Sequence, residues 1–416
     1  MTSTPRSLDV RRITEAEVPA WVEACNTGFY RHGSDDELSA RRRSMDLERT
    51  WGAFAGDRIV GTLRSFATEL TVPGNQSVPA AALTNVTVTT THRRRGLLNR
   101  MLTADLAAAA ERGEVVGILI ASEFPIYGRY GYGPATELAT WTIDARHAQV
   151  AALQAGWNGT VELADPKEAR TEAPAVYERY RARQPGAISR NDLWWDRRTG
   201  LAPTPGAWAD KTPPFWALAR DQAGAVTGYL IYHVESTWEE RLSPRHLLEV
   251  DELIAVDPQT TARLWRYCVE ADLVATVRAE RGPTDPLPWL LADARDVRQS
   301  ARSDFLWVRV LDMPRTLAAR TYLTSGRVVL EVLDPLGYAS GVFALEGGPG
   351  GATCVPTREP PDLSLPVGVL GSVYLGGLPL ALLAAAGKVE ERREGAVATA
   401  DAMFRSPVAP WCATWF

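Results

Sequence analysis

A basic turn between a strand-like run and a helix-like run has the residue types and spacing to bind an anion. The β-branched run from Thr84 leads into His92 and three arginines, and Gly96 then opens a segment with helical spacing to about Gly113. The start of a helix leaves backbone N–H groups without partners, and the helix dipole adds partial positive charge there. Gly96 lets the backbone approach a ligand closely, so the turn predicts a pocket for a pyrophosphate. A solvated basic turn is the alternative interpretation.

Three tyrosines in a glycine-rich turn could supply an acid group near this pocket. Tyr127, Tyr130 and Tyr132 follow the apolar run Val115–Ala121, which predicts a strand buried on both faces and paired in parallel. A tyrosine has a reference pKa of about 10, against about 8.5 for a thiol, so it is protonated at neutral pH and able to protonate a departing thiolate. The residues alone do not choose among the three, and packing in the turn is the alternative for all of them.

The aromatic and apolar end of the chain, Pro410–Phe416, is unusual because chain ends are normally polar and frayed. Burial of this end would carry the terminal carboxylate into the protein, which is unfavourable unless that charge is used or paired. Burial raises the pKa of a carboxylate, so the terminus is a candidate base. A C-terminal strand that completes a sheet is the alternative.

Composition narrows the class of protein. The net charge of −5 argues against broad nucleic-acid binding and is compatible with cationic small substrates. No apolar run of about 18 residues is present, so no membrane span is expected, and Met1–Val10 lacks an apolar signal core, which predicts a cytoplasmic protein. The cysteines lack CxxC spacing or a histidine partner, which favours free buried thiols over a metal site or disulfides. They are Cys25, Cys268, Cys354 and Cys412.

Residues 1–146 predict one α/β domain. The expected order is strand, helix, three strands, helix, strand, turn and strand, with a hairpin at Gly56-Asp57 and a turn at Pro73–Asn75. Separate strands are expected at Ile59–Phe66 and Glu69–Val72, and Thr136–Ile143 is expected to be the last strand of this domain.

Two further domains are expected. Residues 147–301 repeat the order strand, helix, strand, but Asp257 and Pro258 stand where the first copy has its basic turn and glycine, so this copy should not hold a pyrophosphate. Residues 302–416 predict a small α+β domain that begins with a strand at Phe305–Val310.

The combination of motifs resembles the Eis (enhanced intracellular survival) family of GCN5-related N-acetyltransferases (GNAT) over the whole chain. The resemblance implies an acetyltransferase domain, a degenerate central copy and a C-terminal domain like sterol carrier proteins. The chain departs from the family pattern at Thr89, where proline is usual, and at Phe124-Pro125, which could narrow the substrate cleft. The resemblance is carried by His92–Leu98, Ala121–Glu123, Ile126–Gly133 and the end at Phe416.

The resemblance also implies roles. Tyr127 would be the general acid, and the carboxylate of Phe416 the general base, acting directly or through water. Acetyl-CoA would be the co-substrate, with no metal, and the acceptors would be primary amines of polycationic small molecules such as aminoglycosides, or lysine side chains. A homohexamer is implied. The residues assigned to acetyl-CoA are Val86, Thr87, Val88, Arg93, Arg94, Arg95, Gly96, Leu97, Leu98, Asn99, Ser122 and Glu123.

Two alternatives stay open. A lipid or sterol carrier with vestigial acetyltransferase domains would fit the C-terminal domain, but the intact turn from Arg93 to Leu98 argues against it. Asp35, Asp36 and Glu37 could line a pocket for a cationic substrate, or they could form a solvated acidic loop.

Overall fold

The computed structural model describes residues 8–33, 38–39, 41–42, 45–151, 159–204, 213–239 and 243–416. Within these residues the chain forms two seven-stranded sheets, one five-stranded sheet and one short two-stranded pair. Helices pack against the three large sheets, which we call the first, second and third sheet in chain order. This arrangement has the mixed α/β and α+β character that the sequence predicts.

The N-terminal part builds most of the first sheet, in the order β1-β2-β3-β4-β5-β16-β6. The strand β16 (Leu306–Val310) comes from later in the chain. Strands β4 and β5 pair in parallel, as the apolar run Val115–Ala121 predicted, and the helix between them packs on the sheet. The elements are β1 (Leu8–Arg12), α1 (Val18–Gly28), β2 (Thr50–Ala55), β3 (Arg58–Val72), β4 (Gln76–Val88), α2 (Leu97–Glu111), β5 (Val116–Ile120), α3 (Phe124–Tyr127) and β6 (Gly133–Pro134).

The two strands expected within 59–72 are one strand, β3, which pairs with β4 from Gly61 to Val72. Thr68 and Glu69 lie where the two expected strands would meet. In the structure they keep the strand's alternation, with Thr68 buried and Glu69 exposed, so polarity here marks a face of the strand and not its end.

The second sheet has the order β15-β7-β14-β13-β10-β9-β8. The hairpin between β9 and β10 and the parallel pair β13–β14 agree with the predicted repeat of the first domain. The elements are β7 (Glu137–Asp144), β8 (Thr160–Ala164), α4 (Pro166–Arg181), α5 (Asp192–Arg198), β9 (Phe215–Arg220), β10 (Val226–Glu235), β11 (Trp238–Glu239), β12 (Ser243–Pro244), β13 (His246–Ala255), α6 (Pro258–Val269), β14 (Val274–Arg281), α7 (Leu287–Leu290) and β15 (Val297–Asp304).

The third sheet has the order β19-β18-β17-β20-β21. A single buried apolar cluster joins it to the first sheet. This cluster includes Val116 and Val308 of the first sheet and Leu330 and Leu365 of the third. The elements after residue 304 are β16 (Leu306–Val310), α8 (Met313–Ala318), β17 (Gly326–Leu333), β18 (Gly341–Gly348), β19 (Gly351–Pro356), β20 (Leu363–Pro366), α9 (Val367–Val373), α10 (Leu380–Ala385), β21 (Glu390–Glu391) and α11 (Ala396–Phe404).

Two strands lie in a different sheet from the one that the sequence predicted. β7 was expected to close the first sheet but pairs with β14 and β15 in the second. β16 was expected in the third sheet but pairs with β5 in the first, from Leu306 opposite Ile120 to Val310 opposite Val116. Hydrophobic periodicity identifies a strand without identifying its partner, which explains the error. The domain boundaries at 146 and 302 remain predictions.

All four cysteines are buried and unbonded to one another, as predicted. Among the described residues, no helix is long and apolar enough to cross a membrane. The same residues contain no group of three or more His, Cys, Asp or Glu side chains arranged to hold a metal ion.

A fully buried ion pair joins β16 of the first sheet to the residue that follows β17 of the third sheet. Arg309 of β16 donates from Nη2 to both carboxylate oxygens of Asp334 at 2.8 and 2.7 Å, and both side chains are 0% exposed. Asp334 also accepts from the amides of Leu336 and Ala339. The Asp334 carboxylate therefore has the hydrogen bonds that a buried charge requires.

Replacing Asp334 with alanine leaves the Arg309 charge buried without its partner. We expect Asp334→Ala to lower the free energy of unfolding by about 3–5 kcal/mol, measured by urea denaturation. The control is Arg327→Met, which removes an exposed pair with Glu359 and should change stability by less than about 1 kcal/mol. Equal effects of the two substitutions would contradict this role for the buried pair.

Candidate functional site

The parallel ladder between β4 and β5 stops in mid-strand. It runs from Ala80 opposite Val116 to Leu83 opposite Leu119, whereas β4 continues to Val88. A register shift against β3 and a positive φ of 56° at Asn85 mark a β-bulge at the same place. The two strands therefore diverge, and the edge of Val86–Val88 that faces β5 lies beyond the ladder.

The helix that follows β4 begins with open backbone donors. Gly96 precedes α2 with a φ of 72°, and no side chain caps this end. The first bond of the helix runs from the amide of Arg100 to the carbonyl of Gly96, so the amides of residues 97–99 precede the helical ladder. A Cβ at Gly96 would meet no atom within 4 Å, so the space beside Gly96 at the start of the helix is open.

The charged turn in front of the helix is anchored by one apolar residue. Leu97 is 2% exposed within the core, whereas Arg93, Arg94, Arg95 and Gly96 are exposed. Arg93 Nη2 lies 3.5 Å from a carboxylate oxygen of Glu123. The structure therefore brings the turn next to the Ser122-Glu123 segment that follows β5, as the proposed cofactor contacts require.

The corresponding helix start in the second sheet is already occupied by its own chain. The Asp257 side chain accepts from the amide of Thr260 at 2.8 Å and from its hydroxyl at 2.6 Å. Pro258 stands at the first turn of α6 and has no N–H to donate. This end of α6 therefore offers fewer donors and more negative charge than the start of α2.

A cavity of 1730 Å³ opens between the diverging edge of the first sheet, the second sheet and the C-terminal tail. Tyr127 and Phe416 both lie on its wall, together with Asn85 and Val86 of β4. The two residues proposed as acid and base, which lie far apart in the sequence, therefore face one cavity.

The position of the tyrosines distinguishes them. Tyr127 lines the cavity, whereas Tyr130 and Tyr132 are not among its described lining residues and pack in the core below it. The rings of Tyr127 and Tyr132 meet edge to face at 6.3 Å between centroids. Burial, with a smaller contribution from the Glu123 carboxylate, raises the pKa of Tyr127 to about 12. The Tyr127 hydroxyl therefore stays protonated at neutral pH.

Trp411, Cys412 and Thr414 near the end of the chain are buried without forming a strand, whereas Trp415 is 46% exposed and Phe416 is half-buried. Residues 405–416 have no strand assignment, so the alternative of a sheet-completing strand is wrong. Thr414 is 2% exposed. The Phe416 ring packs edge-on against Phe66 with centroids 5.5 Å apart, and Trp415 packs in the same way on Phe305 at 4.7 Å. These contacts carry the last residue to the cavity wall.

One expectation about the substrate cleft is wrong, and another concerns residues outside the described part of the chain. Phe124 was expected to narrow the cleft, but its side chain is 60% exposed, lies against Trp307 at 4.9 Å between centroids and is not among the described lining residues. Of the residues of the short helix α3, Tyr127 therefore lines the cavity and Phe124 lies away from it. The acidic residues Asp35, Asp36 and Glu37 lie outside the described residues.

The contribution of the second domain to the cavity was not predictable from the sequence motifs. Arg190 and Glu252 line the cavity and form a buried ion pair with a closest distance of 2.6 Å. Neither residue belongs to a local motif, and only the tertiary fold brings them to the tail. The one available signal was that Glu252, a charged residue, lies among the apolar residues of β13.

Family models match nearly the whole chain. Residues 9–135 match an acetyltransferase (GNAT) domain, residues 186–310 match a second acetyltransferase (GNAT) domain, and residues 313–413 match a sterol carrier protein domain. These matches confirm the predicted succession of tandem GNAT domains and a domain like sterol carrier proteins.

Individual relatives are similar over most of their length. N-acetyltransferase Eis of Mycobacterium tuberculosis is 38% identical, with 86% of this chain and 86% of that protein covered. An uncharacterized N-acetyltransferase of Streptomyces griseus is 45% identical, covering 98% and 99%. The crystal structure of Eis1 from Mycobacterium abscessus matches with a TM-score of 0.85 and 32% identity, covering 99% and 100%. The chain therefore belongs to the Eis-like family of GCN5-related N-acetyltransferases and is an N-acetyltransferase.

Proposed function

We propose that this enzyme transfers the acetyl group of acetyl-CoA to a primary amine, with Tyr127 as general acid and the carboxylate of Phe416 as general base. The observation that carries the proposal is that Tyr127, the chain end and the diverging edge of β4 border one cavity. Such a site can hold a thioester on one side and an amine on the other.

The diphosphate of acetyl-CoA is proposed to lie on the open amides at the start of α2, where the helix dipole and the arginines of the turn favour negative charge. The pantetheine arm then follows the free edge of β4, and a backbone N–H there polarises the thioester oxygen. The open space at Gly96 and the approach of Arg93 to Glu123 support this path. The proposed contacts are Val86, Thr87, Val88, Arg93, Arg94, Arg95, Gly96, Leu97, Leu98, Asn99, Ser122 and Glu123.

Tyr127 is the proposed donor to the leaving thiolate. The amine nitrogen attacks the thioester carbon, and the C–S bond breaks as the Tyr127 hydroxyl gives its proton to sulfur. The proton that the nitrogen loses as it becomes an amide restores the Tyr127 hydroxyl, directly or through water. Its pKa of about 12 keeps the hydroxyl protonated, and the same burial raises the basicity of a thiolate that leaves into the cavity. The transfer therefore occurs between two groups that are both poorly solvated.

The Phe416 carboxylate is the proposed acceptor of the ammonium proton, directly or through one water. An amine attacks only after it loses this proton. The support is positional, because Phe416 lies on the cavity wall and its ring is fixed against Phe66.

The proposed acceptors are aminoglycoside-like polycationic small molecules or lysine side chains. The cavity of 1730 Å³ exceeds the range of about 300–1,000 Å³ for common small-molecule sites, which supports a large acceptor. Its wall is mixed in charge, because Glu249 and Asp251 lie beside Arg278 and Arg198. The homohexamer and the cytoplasmic location rest on the family resemblance and the sequence alone.

The rival function, a lipid or sterol carrier with vestigial acetyltransferase domains, is less favoured. The sterol carrier protein match covers only residues 313–413. The helix start at Gly96 keeps the open donors that a vestigial site has no reason to keep.

Gly96→Ala tests the cofactor site. The added Cβ would project into the space proposed for the diphosphate, so we expect the dissociation constant for acetyl-CoA in calorimetry to rise at least about tenfold, the loss of one charge-assisted hydrogen bond. Gly224→Ala is the matched control, because Gly224 also has a positive φ and no atom within 4 Å of an added Cβ. Both variants should lose similar stability, and only Gly96→Ala should lose affinity. Equal affinities would contradict the site.

Tyr127→Phe tests the acid. We expect kcat to fall by about 10²–10⁴-fold while the dissociation constant for acetyl-CoA stays within twofold, since the ring and its packing remain. Because the pKa of Tyr127 is about 12, its protonated form persists through the alkaline range, and the wild-type rate should show no loss from this group below about pH 11. Tyr130→Phe is the control and should turn over normally. A normal rate for Tyr127→Phe would remove Tyr127 from the mechanism.

A C-terminal amide tests the base. Deleting Phe416 would create a new carboxylate on Trp415, so ligation of a terminal peptide that ends in Phe416 amide is the cleaner change. We expect kcat to fall by about 10²–10⁴-fold with unchanged acetyl-CoA affinity, measured by thiol release. The same ligation with a free acid is the control. Full turnover by the amide would exclude the carboxylate as the base.

A further inference from the structure

Arg190 holds the C-terminal tail two residues before the chain ends. Its Nε donates to the hydroxyl of Thr414 at 2.9 Å, and its Nη2 approaches the carbonyl oxygen of Ala413 at 3.4 Å. The Arg190 side chain is 0% exposed. The guanidinium is buried and donates two hydrogen bonds to the tail. These bonds restrict the path of the two residues that follow Thr414.

Glu252 of β13 locks this guanidinium in one orientation. Arg190 donates to both carboxylate oxygens of Glu252, at 2.9 and 2.6 Å, in the two-pronged geometry that fixes direction as well as distance. The Tyr229 hydroxyl also donates to Glu252. Burial alone would raise the pKa of Glu252, but the charge of Arg190 holds that pKa below its ordinary value. Glu252 therefore stays ionised and keeps the guanidinium in place.

Aromatic rings close the remaining faces of the guanidinium. Its central carbon lies 3.7 Å from the ring centroid of Tyr177 and 3.7 Å from that of Trp194, distances that favour cation–π attraction. The Tyr177 hydroxyl donates to the carbonyl of Ile188 at 2.7 Å and lies 3.2 Å from the Thr414 hydroxyl. Thr414 is therefore held by two side chains of the second domain.

The upstream part of the tail is held by the same domain. The Trp411 amide donates to the carbonyl of Pro185 at 2.9 Å, and the Gln184 side chain donates to the carbonyl of Ala409 at 2.8 Å. The Trp411 ring lies close to Gly282, because a Cβ added at Gly282 would lie 3.6 Å from the nearest atom of that ring. The tail is thus held at Ala409 and Trp411 and again at Ala413 and Thr414 by the second domain before it reaches the cavity.

We propose that Arg190, oriented by Glu252, is the positioning residue that sets the place of the Phe416 carboxylate, so that the second acetyltransferase domain acts by holding the base of the first. The inference rests on the proposed role of Phe416. Two residues span at most about 7 Å, so the Thr414 anchor limits where the carboxylate can lie. A misplacement of about 1 Å is enough to lower a rate by about 10²-fold.

The test compares Arg190→Met, Arg190→Lys and Thr414→Val in the full-length enzyme. Thr414→Val keeps the Arg190–Glu252 pair, so it tests the tail contact even if Arg190→Met unfolds. We expect kcat to fall about tenfold in Thr414→Val, the loss of a hydrogen bond to a charged group, and about 10²-fold in Arg190→Met, with Arg190→Lys in between. The KM for acetyl-CoA should stay within twofold in all three.

Two readouts separate positioning from a general structural effect. Added formate or acetate should partly restore kcat in Thr414→Val and Arg190→Met, because a free carboxylate can replace a misplaced one. The double variant Arg190→Met with Thr414→Val should be no slower than Arg190→Met alone, since both changes act by releasing the same segment of the C-terminal tail. Arg220→Met, which removes a partly exposed pair with Glu168 in the same domain, is the control and should match the wild type without any response to formate.

The outcomes distinguish this inference from the proposed base. If the C-terminal amide is inactive but Thr414→Val and folded Arg190 variants turn over normally, Arg190 does not position the tail. If the amide itself is fully active, the base assignment fails and takes this inference with it. A loss in the Arg190 variants with no rescue by formate or acetate would also overturn the positioning role.

Discussion

The buried ion pair between Arg190 and Glu252 is the interaction on which the proposed site depends. Taking two charges out of water is unfavourable, and attraction offsets that only when the geometry is good and the remaining donors are satisfied. Here the remaining donors of the guanidinium go to the chain's own tail and its faces to aromatic rings. The pair therefore ties the stability of the second domain to the course of the last residues.

The two acetyltransferase domains use the same local architecture for different ends. In both, a parallel ladder stops in mid-strand, at Leu83 opposite Leu119 in the first and at Val250 opposite Ala279 in the second. The first domain leaves its helix start open at Gly96, whereas the second fills its own with Asp257. One copy thus suits an anionic cofactor and the other suits a supporting role, an instance of function residing in the site and not in the fold.

Local features of the fold could be predicted from the sequence, and long-range ones could not. The hairpin at Gly56-Asp57, the glycine that opens α2 and the parallel pairing of β4 and β5 follow from turn chemistry and periodicity over a few residues. The exchange of β7 and β16 between sheets depends on partners more than a hundred residues away, as with Leu306 opposite Ile120. Periodicity carries no information on that choice.

The candidate site divides in the same way. The residues alone left three tyrosines open, the family resemblance assigned Tyr127, and the cavity supports that choice because Tyr127 lines it. The burial of Trp411, Cys412 and Thr414 was predictable from the apolar composition of the chain end, whereas the exposure of Trp415 was not. The residue that holds that end, Arg190, was not, because its contacts with Glu252 and Thr414 join segments far apart in sequence.

The most direct test of the account is a crystal structure with an analogue in which the acceptor nitrogen is joined to the sulfur of CoA through an acetyl linker. The account predicts a Phe416 carboxylate oxygen within about 2.6–3.2 Å of that nitrogen, or linked to it by one water, with the Tyr127 hydroxyl at the same range from the sulfur. A carboxylate remote from the nitrogen, with another acidic side chain in its place, would contradict it.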